Sequence, residues 1–120
     1  EFVIDSIHKG IDVIFELEVE GAERILSKFP QCVMIFVVPP SFKELRKRIE
    51  KRGTEDTGAI EKRLERAREE MEYINNYEYI VVNDKVKDAV EGINSIINAE
   101  KLKINRNSDL INKLGKGGVS

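Results

Sequence analysis

The chain has 120 residues, 41% of them hydrophobic, enough for one modest domain with a real core. Its 20 basic and 22 acidic residues leave a formal charge of −2, so it lacks the global basic field that holds nucleic acid or an anionic membrane, and any anion site is local. A single cysteine, Cys32, excludes an internal disulfide and a multi-cysteine metal site, and with no apolar run near about 18 residues the pattern predicts a soluble, cytoplasmic protein.

Phe2, Val3 and Ile7 suit the inner face of a short helix stopped by Gly10. The pattern is already under way at Glu1, which predicts that the chain is a piece of a longer protein. His8 is the one histidine, with no ligand-spaced companion, and reads as a surface or core-edge residue. From Asp12, the run Val13, Ile14, Phe15, Leu17 and Val19 predicts a strand, with Glu16, Glu18 and Glu20 on its opposite face near the carboxyl end. Parallel α/β sheets bind ligands at that end. An edge strand with a solvated acidic face is the plainer alternative. Gly21 predicts a turn, and Ala22, Ile25, Leu26 and Phe29 a short helix ended by Pro30. The apolar run from Cys32 to Val38 predicts a central strand covered on both faces, with Cys32 a buried, reduced thiol.

The next stretch, from Pro39 to Tyr73, is the best candidate for holding phosphate. Ser41 and Glu44 form a capping-box pattern after Pro39 and Pro40, and Phe42, Leu45 and Ile49 share one helical face. Arg48 and Arg52, spaced one turn apart, project together beside that face. Gly53 ends the helix. A second helix carries Ile60, Leu64, Ala67, Met71 and Ile74 on its stripe, with Arg63 just off it, so three guanidiniums could converge on one anion. The same arginines, interleaved with glutamates, also fit a salt-laced solvated face, and spacing does not choose between the two.

Tyr79 to Val82 predicts a third strand. Asp84 then predicts an N-cap for a helix carrying Val86, Ala89, Val90, Ile93, Ile96 and Ile97. From Lys101 the composition predicts a tail, flexible over residues 104–120. Its Gly115, Lys116, Gly117 and Gly118 lack the upstream glycine, the following Ser or Thr and the preceding strand of a phosphate-binding loop. The expected fold is α/β, a parallel sheet of about three strands with helices on both faces. Three strands leave long unpaired edges, which upstream strands or a homodimer would cover.

Five segments carry a resemblance: Asp12 to Ala22, Ile35 to Ser41, Arg48 to Thr54, Ile60 to Leu64, and Ile80 to Asp84. In order and approximate spacing they resemble the guanylate kinases, across about residues 2–103. The resemblance implies a P-loop nucleoside-monophosphate-kinase fold. It implies ATP-dependent phosphorylation of GMP to GDP with Mg2+, a step of purine nucleotide metabolism. Residues 1–103 would be part of the kinase core, with a lid at about 48–63 whose natural hinge is the break from Gly53 to Gly58. By the same resemblance Arg52 and Arg63 are catalytic and Arg48 serves ATP and its phosphates. Asn83 lies near the adenine, Glu16 and Glu18 lie on the GMP side, and the chain itself supplies no metal ligand set. The family more often has Asp at the place of Glu18 and Gln at the place of Glu20. These 120 residues also contain neither a glycine-rich phosphate loop nor the GMP-gripping lobe, so this stretch alone is expected to be inactive or nearly so. A guanylate-kinase-like scaffold module that binds protein partners is the alternative, although the arginines such modules tend to lose are all present here.

Overall fold

The computed structural model describes residues 12–53 and 56–116. The expected helix of Phe2, Val3 and Ile7, together with His8, Gly117 and Gly118, lies outside the described residues. The chain divides after Met34 into two compact units.

The first unit contains α1 (Val19–Lys28), which begins earlier than its apolar spacing predicts. Glu18 occupies the N-cap with extended backbone, and the buried Val19 opens the helix. Gly21 is therefore inside α1 and not at a turn. A Cβ there would stand 3.4 Å from Cβ and Cδ2 of Leu17, so the glycine is a seat on which Leu17 folds back. The strand expected over Val13 to Val19 is absent, and residues 12–18 have no regular structure. The physical reason is that a strand exists through its ladder, and no described residue pairs with this segment. Cys32 is half-buried and not fully enclosed.

The second unit holds the sheet. The run expected as one long strand contributes β1 (Ile35–Val38), and β2 (Tyr79–Val82) pairs with it in parallel, Ile35 opposite Tyr79 and Val38 opposite Val82. Among the described residues the sheet thus has two strands and not three. Nor is β1 covered on both faces, since Val37 is 50% exposed. Burial alternates along β2: Val81 is buried, while Ile80 and Val82 on the other face are exposed. Phe36 meets Tyr77 edge to face, with centroids 4.8 Å apart, fixing the chain as it enters β2.

Between the strands, α2 (Phe42–Lys51) and α3 (Thr57–Met71) form an antiparallel hairpin. Ser41 Oγ accepts from the Glu44 amide at 3.0 Å, and Asp56 Oδ1 accepts from the Ala59 amide at 2.8 Å, so each helix starts on a side-chain cap. Gly53, with φ +70°, ends α2 in the left-handed conformation that glycine adopts without a steric cost. Ile49, Ile60 and Leu64 form the buried seam, with Phe42 and Leu45 packed against it. Each such side chain contributes about 1.5–3 kcal/mol. Across the same seam Arg46 pairs with Glu61, and the Arg68 guanidinium lies 5.3 Å from the Phe42 ring centroid. The seam thus packs α2 against α3 on either side of the break.

The last long helix, α4 (Val86–Lys101), packs on β2. Asp84 does not cap it: the N-cap is Lys85, and no side-chain hydrogen bond is made there. Of the expected stripe, Ala89 is buried and Ile93, Ile96 and Ile97 half-buried, while Val86 and Val90 are exposed. Gly92 faces Val81, and a Cβ there would stand 3.8 Å from both Val81 methyls, an ordinary contact. Gly92→Ala is therefore expected to stabilise the protein by about 1 kcal/mol through helix propensity. A urea midpoint below the wild type's would show that α4 leaves no room for the methyl group.

Beyond Glu100, where composition predicts a tail, the structure has a 3₁₀ turn (Ile104–Arg106) and α5 (Ser108–Lys116). The turn is tied to α4. Asn107 Nδ2 donates to the carbonyls of Lys101 (2.9 Å) and Lys103 (2.6 Å), covering exposed carbonyls at the helix end. Glu100, a buried acid with its side chain 6% exposed, is held by Lys103 Nζ (2.7 Å) and Arg106 Nε (3.5 Å). It also accepts from the Tyr79 hydroxyl at 2.5 Å. Lys103 and then Tyr79 hold its carboxyl below the usual range, whereas the Glu100 carboxylate pushes the Tyr79 hydroxyl and the Lys103 ammonium up.

The signs define a window. A depressed acid stabilises above its unfolded value near 4.5 and loses that contribution as pH falls through the folded value. Raised Tyr79 and Lys103 stabilise below their unfolded values of 10.0 and 10.5 and lose that contribution as pH rises further. The cluster is thus fully effective between about pH 5 and pH 10. Glu100→Gln is expected to flatten the acid limb of a urea-midpoint profile, and an acid limb identical to the wild type's would refute the assignment. Among the described residues, no helix is long and apolar enough to cross a membrane.

Candidate functional site

Because β1 and β2 are parallel, both release the chain at the same carboxyl edge, the edge where α/β sheets bind ligands. Pro39 and Pro40 lead from β1 into α2, and Asn83 and Asp84 lead from β2 into α4. The Asn83 amide donates to the Val38 carbonyl at 2.7 Å, carrying the ladder past the last paired residues.

Arg48 reaches this edge from the last turn of α2. Its Nη1 donates to the Asn83 carbonyl at 2.6 Å and its Nη2 to the Asp84 carbonyl at 3.2 Å. Nη2 also lies 3.5 Å from Asp84 Oδ1, and Nε donates to Glu44 Oε1 at 3.3 Å. The two residues expected on the ATP side, Arg48 and Asn83, are thus in direct contact. These bonds also explain the missing cap on α4, since the Asp84 carboxylate faces a guanidinium, a stronger partner than a neutral amide.

The remaining expected residues are accounted for separately. Arg52 is the C-cap of α2, exposed beside Gly53, with no ion pair among the described residues. Arg63 is exposed on α3, between the buried Ile60 and Leu64. The hairpin seam sets both arginines on one packed piece. Glu16 and Glu18 belong to the first unit. Glu16 is exposed in the segment before α1, and Glu18 is exposed at that helix's N-cap. Two shallow concavities flank α1, one against Glu20 and Glu23 and the other against Phe15, Leu17 and Ile25, and neither Glu16 nor Glu18 lines them. Among the described residues no three His, Cys, Asp or Glu side chains are grouped to hold a metal ion.

Glu44 and Asp84, which orient Arg48, escape sequence reasoning as site residues. Glu44 stands one helical turn before Arg48, a spacing from which the pair could have been read. Asp84 lies 36 residues away, and the sequence marks it as a helix cap and not as a partner of Arg48.

The guanylate kinase family model matches residues 2–100. The chain is 47% identical to a guanylate kinase of Caldanaerobacter subterraneus subsp. tengcongensis, over 99% of this chain and 58% of that protein. It is 49% identical to a guanylate kinase of Desulfitobacterium hafniense, over 88% of this chain and 54% of that protein. Among solved structures, guanylate kinase from Anaplasma phagocytophilum superposes with a TM-score of 0.69 at 28% identity, covering 85% of this chain and 48% of that one. The chain spans about half the length of these relatives. With the parallel sheet, the arginine hairpin and the Asn83 turn in that family's order, the chain belongs to the guanylate kinase family.

Proposed function

We propose that the protein containing this chain transfers the γ-phosphoryl group of ATP to GMP, giving ADP and GDP. The observation that carries this reading is the family match over residues 2–100, which spans the arginine hairpin and the Asn83 turn together. Phosphoryl transfer spreads negative charge over equatorial oxygens, so the protein's work is positioning and electrostatic stabilisation. Arg52 and Arg63 supply permanent, bidentate positive charge from the exposed side of the hairpin. Arg48 and Asn83 serve the ATP side, while Glu16 and Glu18 serve GMP.

Mg2+ would arrive on the nucleotide phosphates, since it keeps several waters and is bound through substrate phosphates. When bound, the ion neutralises phosphate charge.

The test is a coupled assay of ADP formation from ATP, GMP and Mg2+. It is run on this chain and on the gene product with whatever sequence precedes it. Turnover by the longer product, with this stretch alone slow or silent, is the expected result. A longer product that binds no nucleotide and is silent with every nucleoside monophosphate would overturn the kinase reading in favour of a scaffold.

A further inference from the structure

Among the described residues Arg48 makes four polar contacts: to the Asn83 and Asp84 carbonyls, the Asp84 carboxylate and Glu44. Two of them are main-chain carbonyls of consecutive residues, so the grip fixes backbone geometry whatever side chains stand there. Asn83 is held from both sides, with its amide on Val38 of β1 and its carbonyl on Arg48 of α2. The segment has little else to fix it, because α4 starts without a side-chain cap. A cation near the N-terminus of α4 also opposes that helix's dipole, so helix stability alone does not account for the placement. Each gripped carbonyl keeps a second lone pair, and Asn83 adds an amide with both a donor and an acceptor. The segment therefore presents a fixed hydrogen-bonding edge at the carboxyl end of the sheet.

We propose that Arg48 is a positioning residue and not a phosphate ligand: it holds the Asn83–Asp84 segment in the shape that reads the donor nucleotide's base. This rests on the kinase reading above and assigns Arg48 a task different from that of Arg52 and Arg63. The planar fork matters because a guanidinium spans two carbonyls at once, which a lysine ammonium does not.

The experiment compares wild type, Arg48→Ala and Arg48→Lys in the full-length gene product. The readouts are KM and kcat for ATP, inhibition by inorganic tripolyphosphate, the rate ratio of ATP to GTP as donor, and hydrogen exchange of the Asn83 amide. Both variants are expected to raise KM for ATP about tenfold with kcat much less affected, and to lower donor discrimination. Tripolyphosphate, which has no base, is expected to inhibit them as it does wild type. Exchange at Asn83 is expected to speed about tenfold while exchange within β1 stays unchanged, which separates a loosened segment from a misfolded protein. Equal weakening of ATP and tripolyphosphate, or a Lys variant indistinguishable from wild type, would overturn the proposal and make Arg48 a phosphate contact. Wild type that ignores both probes would overturn the kinase reading itself, and this proposal with it.

Discussion

Arg52→Ala in the full-length gene product is expected to lower kcat by about 10³-fold or more, the scale on which one arginine stabilises a phosphoryl-transfer transition state. Its position supports an effect confined to chemistry. The side chain is exposed at the C-cap of α2, and the bonds that end this helix are main-chain bonds, from the Arg52 amide to Ile49 and from the Gly53 amide to Glu50. Removing the side chain disturbs none of them, so the urea midpoint should move by no more than about 0.5 kcal/mol. Arg63→Ala should lower kcat on the same scale, since Arg63 is exposed on α3 while its neighbour Leu64 carries the packing. Arg52→Lys keeps the charge but loses the bidentate fork and should recover only part of the rate. Turnover within about fivefold of wild type in both alanine variants would remove these residues from the catalytic machinery.

Leu64→Ala is expected to produce the largest loss of stability, about 2–5 kcal/mol. Leu64 is 1% exposed and sits in the seam with Ile49 and Ile60 that joins α2 to α3. The lost methyl groups leave a cavity that the hairpin cannot fill, because Arg46 with Glu61 and Arg68 over Phe42 fix the helices on either side. Urea unfolding measures the loss directly. A midpoint shift worth less than about 1 kcal/mol would mean that the seam is loosely packed and that the two helices are not one piece.

Local patterns read correctly from the chain are those whose causes are local. Ser41 caps α2, Gly53 stops it, and Ile60 and Leu64 face the same seam, because capping, left-handed backbone and helical periodicity act within a few residues. The misreadings came where a distant partner decides. Asp84 follows a strand and precedes a helix, and by local rules it is a cap. Arg48, far away in sequence, takes it instead. Gly21 is the local exception: it looks like a turn, yet Leu17, four residues earlier, folds against it inside the helix.

By itself the sequence determined the α/β class, the arginine-bearing hairpin, the strand Tyr79–Val82 with the helix that follows it, and the family, since five short motifs in order are specific in combination. Tertiary structure alone decided three things. Residues 12–18 lack a strand because a ladder needs a partner. The hairpin is one body because its seam closes across the break. Arg48 belongs to the Asn83–Asp84 segment, and Glu100 to Tyr79. Hydrogen bonds and ion pairs between groups tens of residues apart depend on positions in space, and no periodicity or propensity along the chain encodes those positions.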